Sequence, residues 1–152
     1  MSGTYDPWGI LTYDWTTLTY TRQSARLSGN RLSGACAMFK GSNGERLVAI
    51  AGGNAPGMEA WNPADDSVVT LTAEFPLPYE NLFSYEFSQM TSVNENTELV
   101  YYESSTMNRS AQGIWKYSTL TGNWTKVGDM LFSRRSFSVL PIDGVSCPDT
   151  EP

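Results

Sequence analysis

The chain has 152 residues, 40% of them hydrophobic and 17% charged, with ten basic against sixteen acidic residues and a net charge of −6. That length is enough for one domain with a sizeable core, while the acidic balance opposes binding to phosphate backbones or anionic lipid surfaces, so neither nucleic acid nor membrane is an expected partner. Histidine is absent, which removes the commonest general base and transition-metal ligand at once.

Residues 1–9 read as an N-terminal connector carrying Tyr5 and Trp8, without the basic start and apolar middle of a signal peptide. Ile10 to Thr21 alternates as a first hairpin. Gln23 to Ser33 follows Arg22, is polar and basic (Arg26, Arg31) and holds the turn signal Gly29-Asn30, so it reads as a surface loop. Gly34 to Phe39 is small and apolar and suits a crowded inner strand, and Lys40-Gly-Ser-Asn-Gly44 is a tight turn. Leu47 to Ala51 is an apolar run ended by Gly52-Gly53, which predicts a buried strand leaving through positive φ.

Met58 to Trp61 leads into the turn formers Asn62-Pro-Ala-Asp-Asp66, and Ser67 to Leu71 is the returning strand. Phe75-Pro-Leu-Pro78 is a linker, because proline cannot donate to a ladder. Phe83 to Met90 reads as a strand, turned back by Val93-Asn-Glu-Asn-Thr97 into residues 98–102. Ser104 to Gln112 is a polar loop, residues 113–127 form a third hairpin, Gly128 to Arg135 is a linker, residues 136–141 are one more inner strand, and residues 143–152 form a tail. No segment has helical periodicity or approaches the roughly eighteen apolar residues of a membrane span.

Three hairpins share a pattern. Ile10 to Tyr20 superimposes without a gap on Ile114 to Trp124, and the aromatics Tyr13, Trp61 and Tyr117 lie 48 and 56 residues apart. A second set of markers, Arg31, Glu80 and Arg134, lies 49 and 54 residues apart. A period near fifty built of short strands is the signature of a kelch-type blade with four strands. On Gly52-Gly53, the pairs Tyr13/Tyr20 and Tyr117/Trp124, and Arg31 and Arg134, the chain resembles the kelch-repeat β-propeller family from residue 10 to residue 142. It departs from that pattern where Glu103-Ser104-Ser105 stands in place of a second diglycine, where Val68 replaces an aromatic and where Glu80 replaces an arginine. The resemblance implies an all-β, partial kelch-like propeller of somewhat under three four-stranded blades. The other reading is an antiparallel sandwich in which the period is accidental. Closed propellers hold about four to eight blades, so the expectation is a fragment of a longer propeller or two arcs that self-associate to close one ring.

For chemistry the sequence offers little. The copper radical oxidases within the resemblance need histidines, and no Gly-x-Ser-x-Gly elbow is present. Asp65-Asp66 reads as a turn rather than a cation site, and nothing places Glu80 and Glu86 at the separation a glycosidase needs. No catalytic residue, cofactor or metal is expected. Arg134-Arg135 reads as a solvated or structural pair, with recognition of an acidic peptide as the rival. Asn108-Arg-Ser110 and Asn123-Trp-Thr125 are glycosylation sequons. Cys36 reads as a small buried residue of an inner strand, whereas Cys147 beside Pro148 points towards a secreted parent, with a cytoplasmic one as the alternative. In the resembling family the ligand site is the loop cluster at one end of the channel, which here brings Arg26, Tyr79, Arg109 and Arg135 forward as candidate contacts. The expected function is a non-catalytic protein-interaction or scaffold module with an unidentified protein partner. The alternative is an extracellular propeller, or an enzyme-associated domain, that holds a carbohydrate or small ligand.

Overall fold

Ten strands and no helix build the described part of the chain in the computed structural model, which describes residues 6, 8–31, 34–53, 55, 57–72, 88–103 and 113–129. β1 (Gly9–Asp14) and β2 (Thr19–Arg26) form a hairpin. β3 (Ala35–Lys40), β4 (Arg46–Ala51), β5 (Met58–Asn62) and β6 (Ser67–Thr72) make one four-stranded antiparallel sheet in chain order. β7 (Ser88–Val93), β8 (Glu98–Glu103), β9 (Gly113–Ser118) and β10 (Asn123–Gly128) make a second of the same kind.

The repeat seen in the sequence is a repeat of geometry. Tyr13 pairs with Tyr20, Trp61 with Val68 and Tyr117 with Trp124, each across a four-residue turn. The residue before each turn caps it: Asp14 Oδ1 accepts from Thr16 N at 2.7 Å, Asn62 Oδ1 from Ala64 N at 3.0 Å, and Ser118 Oγ from Thr121 N at 3.3 Å. Such short polar side chains stabilise turns by mimicking a backbone acceptor. The fourth turn residue is left-handed in all three, with φ of 56° at Leu18, 57° at Asp66 and 70° at Gly122. Beyond the turn the outer strand is irregular each time, and the unpaired residue is Leu71 in β6 and Val127 in β10.

These units stack as layers. Leu47, Ala49 and Ala51 of β4 point towards the second sheet, joining Phe39, Met58, Ala60, Met90, Leu99, Tyr101 and Tyr117 in one core. Val48 and Ile50, the alternate residues of the same strand, point to the other side, against Ile10, Leu27 and Trp61. Successive strand residues face opposite ways, so a strand covered on both faces must be apolar throughout. That is why residues 47–51 carry no polar position. The two large sheets meet along β3 and β7, and Lys40 N donates to Asn96 O at 2.8 Å across the gap. Complete burial of Leu99 and Met58 contributes about 1.5–3 kcal/mol for each side chain.

Four expectations are corrected. Residues 22–26 are strand rather than loop, because β2 pairs with β1 up to Arg26 opposite Gly9; a strand at a sheet edge tolerates polar side chains, which disguises it. Arg31 is buried, not on a surface. β7 runs on to Val93 rather than ending at Met90, since the four-residue turn at 94–97 sets its register with Val93 opposite Glu98. Cys36 is exposed, because it lies on the face of β3 turned away from the second sheet. The strand expected at 136–141, residues 83–87 of another, the linker at 75–78, the loop at 104–112, Cys147 and the tail lie outside the described residues.

The diglycine exit is as expected, with φ of 77° at Gly52 and 70° at Gly53. A Cβ on Gly52 would also stand 2.8 Å from Ser88 Oγ and 2.8 Å from Tyr101 Oη, so the second sheet presses on this backbone. At Gly44, where φ is 82°, the nearest atom to such a Cβ is the end of the Lys40 side chain at 3.7 Å. Gly44→Ala is therefore expected to cost only the left-handed backbone penalty of about 1–2 kcal/mol, and Gly52→Ala distinctly more. Chemical denaturation of the two variants measures the difference, and equal losses would contradict the sheet contact.

Candidate functional site

The described part of the loop cluster at one end of the sheets is built around Arg31. Gly52 and Gly53 turn the chain out of β4, residues 55 and 57 lead it back into β5, and the segment after β2 passes beside them. Arg31 Nη1 donates to the carbonyls of Gly52 at 3.2 Å, Ala55 at 2.9 Å and Gly57 at 3.0 Å. Its Nη2 and Nε donate to Glu59 Oε2 at 2.8 and 3.3 Å, and Glu59 Oε1 accepts from Ser28 N at 2.8 Å. Both side chains are 4% exposed. The planar guanidinium has enough donors to satisfy a carboxylate and several carbonyls at once, so one residue closes the β4–β5 loop onto the β2–β3 connection. The sequence marked Arg31 by its place in the repeat but put it in a surface loop, and its burial with Glu59 corrects that. Glu59 was not anticipated. Its signal was a carboxylate inside the apolar run Met58 to Trp61, where a buried acid requires a cation.

A second junction is held by Asp66. Its Oδ2 accepts from Ser24 N at 2.8 Å, Ser24 Oγ at 2.5 Å and Ala25 N at 3.0 Å, and its Oδ1 accepts from Trp61 Nε1 at 2.8 Å. The donated hydrogen bonds from Ser24 and Trp61 hold its pKa down at about 2. Asp65 caps the turn, accepting from Ser67 N and Oγ at 3.0 and 2.6 Å. The pair does form a turn, as read, and Asp66 additionally ties the first hairpin to the sheet.

Between that hairpin and the β3–β4 face lies a groove of 260 Å³ lined by Ile10, Leu27, Val48, Ile50, Trp61 and Cys36. Surrounding apolar atoms raise the Cys36 pKa, which keeps a thiol protonated and a poor nucleophile. A shallower hollow of 430 Å³ is lined by Asp6, Trp8, Arg26, Leu27 and Ser28. There Arg26 contacts Asp6, which Arg22 also approaches at 3.2 Å, and the Arg26 hydrogen bond lowers the Asp6 pKa.

Of the residues singled out from sequence, Arg26 is therefore exposed at the end of a strand and already paired with an acid. Asn123 is exposed at the start of β10, with Trp124 of the same sequon packed inwards on Tyr117 at 5.1 Å. Tyr79, Arg109, Arg135 and Asn108 lie outside the described residues, as do Glu80, Glu86 and Arg134. Among the described residues no cluster of three potential metal ligands occurs. Compared with protein-family models and with curated proteins, the chain matches none.

Two consequences are measurable. Arg31→Met leaves Glu59 buried without its cation and is expected to cost about 3–5 kcal/mol, much of the 5–15 kcal/mol typical of a whole domain; adding Glu59→Leu should return part of that loss, and a single variant as stable as the wild type would contradict the burial. Asp66 has a folded-state pKa below its unfolded value near 3.8, so its contribution is full above pH 4 and is lost as pH falls towards 2. Asp66→Asn should lower stability at neutral pH and flatten the acid limb between pH 4 and 2 in equilibrium unfolding, whereas an unchanged acid limb would show that the carboxylate is not engaged.

Proposed function

We propose that the chain is a segment of a kelch-like β-propeller that serves as a protein-interaction or scaffold module, without catalytic activity of its own. The observation that carries this reading is the stacking of like units: two four-stranded sheets in chain order, first strand beside first strand at β3 and β7, each ending in an outer hairpin of the same register, cap and left-handed turn residue. The β1–β2 hairpin repeats the outer half of such a unit and lies over the outer half of the next. Repeats of this kind cover one another, and their stability is set by nearest neighbours.

A module function fits the chemistry present. The buried charges at the loop end, Arg31 and Glu59, satisfy one another and the surrounding carbonyls, so they hold loops in place instead of acting on a substrate. Connections displayed by such a scaffold are where repeat proteins bind, and Arg109 and Arg135 lie in two of them in the sequence.

The test is capture of a protein partner by the immobilised chain in parallel with a glycan array. One protein retained by the wild type and lost from the Arg109→Ala/Arg135→Ala variant, with a blank array, is the expected result. A positive array with no retained protein would replace this reading by a carbohydrate-binding one.

A further inference from the structure

At each junction between units the aromatic before the later unit's hairpin turn faces the earlier unit, and among the described residues the two ends of the stack expose the counterparts of one such junction. At the junction of the two large sheets, Tyr117 Oη of the later unit donates to the carbonyl of Leu71, the unpaired residue of β6, at 3.3 Å, and Leu71 and Trp124 both pack against the core cluster that holds Tyr117. At the junction before it, the later unit again holds the earlier unit's outer strand: Asp66 binds Ser24 and Ala25 of β2, while Trp61 packs beside Ala25 and Leu27. In both cases the aromatic that precedes a unit's hairpin turn, Trp61 or Tyr117, faces the unit that precedes it in the chain.

The corresponding pair of the first hairpin, Tyr13 and Tyr20, therefore faces outward. Ile10 points inward to the sheet, so alternation along β1 turns Tyr13 the opposite way, and Tyr20 is 74% exposed. The rings meet tilted at 45° with centroids 4.7 Å apart, and Trp15, itself 81% exposed, meets Tyr13 edge-on at 4.7 Å. At the other end of the stack, Val127 is to β10 what Leu71 is to β6: the unpaired residue of the outer strand, 56 residues on. It is 52% exposed. Among the described residues, one end thus presents an aromatic pair with no aliphatic residue packed on it, and the other an exposed aliphatic residue with no aromatic pair over it.

We infer that these two ends are complementary docking surfaces for a second copy of this chain, joined head to tail with Tyr13 and Tyr20 of one copy over Val127 of the next. The inference rests on the stacked-repeat reading above and extends the junction between Tyr117 and Leu71 within the chain to one between chains. A self-paired contact through the aromatic face alone would leave Val127 uncovered and would not reproduce the internal junction at Leu71. Head-to-tail contacts close into a ring when the rotation permits. Two copies bring four full sheets and two half sheets, within the roughly four to eight units of closed propellers.

Native mass spectrometry with analytical ultracentrifugation of the full chain tests this, using Tyr20→Glu and Val127→Glu. Both positions are largely exposed, so the variants are expected to keep the wild-type circular dichroism and unfolding midpoint. The expected result is twice the chain mass for the wild type, the single-chain mass for either variant alone, and recovery of dimer when the two variants are mixed, because one wild-type junction then forms. A wild type that stays monomeric at every concentration overturns the inference, as does a dimer lost with Tyr20→Glu but retained with Val127→Glu, which would show a self-paired aromatic face. Neither outcome touches the partner capture that tests the proposed function, and loss of partner capture leaves the mass result intact.

Discussion

The structure depends on mutual coverage: β4 and β5 carry apolar side chains on both faces, and neighbouring units pack against each of those faces. The second sheet covers one face and the first hairpin the other. A strand buried on both sides contributes apolar area twice but is stable only while both neighbours are in place. Alanines at 49, 51 and 60, between 0 and 1% exposed, let the layers approach closely, and Gly52 does the same where the chain leaves β4.

Polar groups act as fasteners between layers that apolar contact alone would leave free to slide. Arg31 and Glu59 join the β2–β3 connection to the β4–β5 loop, and Asp66 joins a hairpin turn to a neighbouring strand. Their environments differ, which sets what each contributes. The Arg31–Glu59 pair is out of water, so breaking it exposes the full desolvation cost of whichever charge remains. Asp66 is near the surface and expresses its interactions as a depressed pKa and hence as acid sensitivity. Neither arrangement leaves a reactive group poised in a cavity.

How much was legible beforehand can be judged residue by residue. Tyr13, Trp61 and Tyr117 announced the hairpins because their partners stand seven positions on, the separation fixed by a four-residue turn. Asp14, Asn62 and Ser118 carried the same period as turn caps, as did Leu18, Asp66 and Gly122 as left-handed residues; Leu18 hid that regularity because leucine seldom adopts positive φ. Residues 22–26 were misread since an edge strand looks polar. The groove beside Cys36 was not visible, because no local signal says which face of β3 a neighbour covers.

By itself the sequence determined the local elements: strand runs, glycine exits, turn caps and their period all follow from backbone sterics and short-range hydrogen bonding, which act within a few residues. The tertiary structure alone decided which faces are covered and which charges meet. Arg31 finds Glu59 across 28 positions and Asp66 finds Ser24 across 42, and such encounters are fixed by how layers stack, a property of the whole chain's packing that no short stretch encodes.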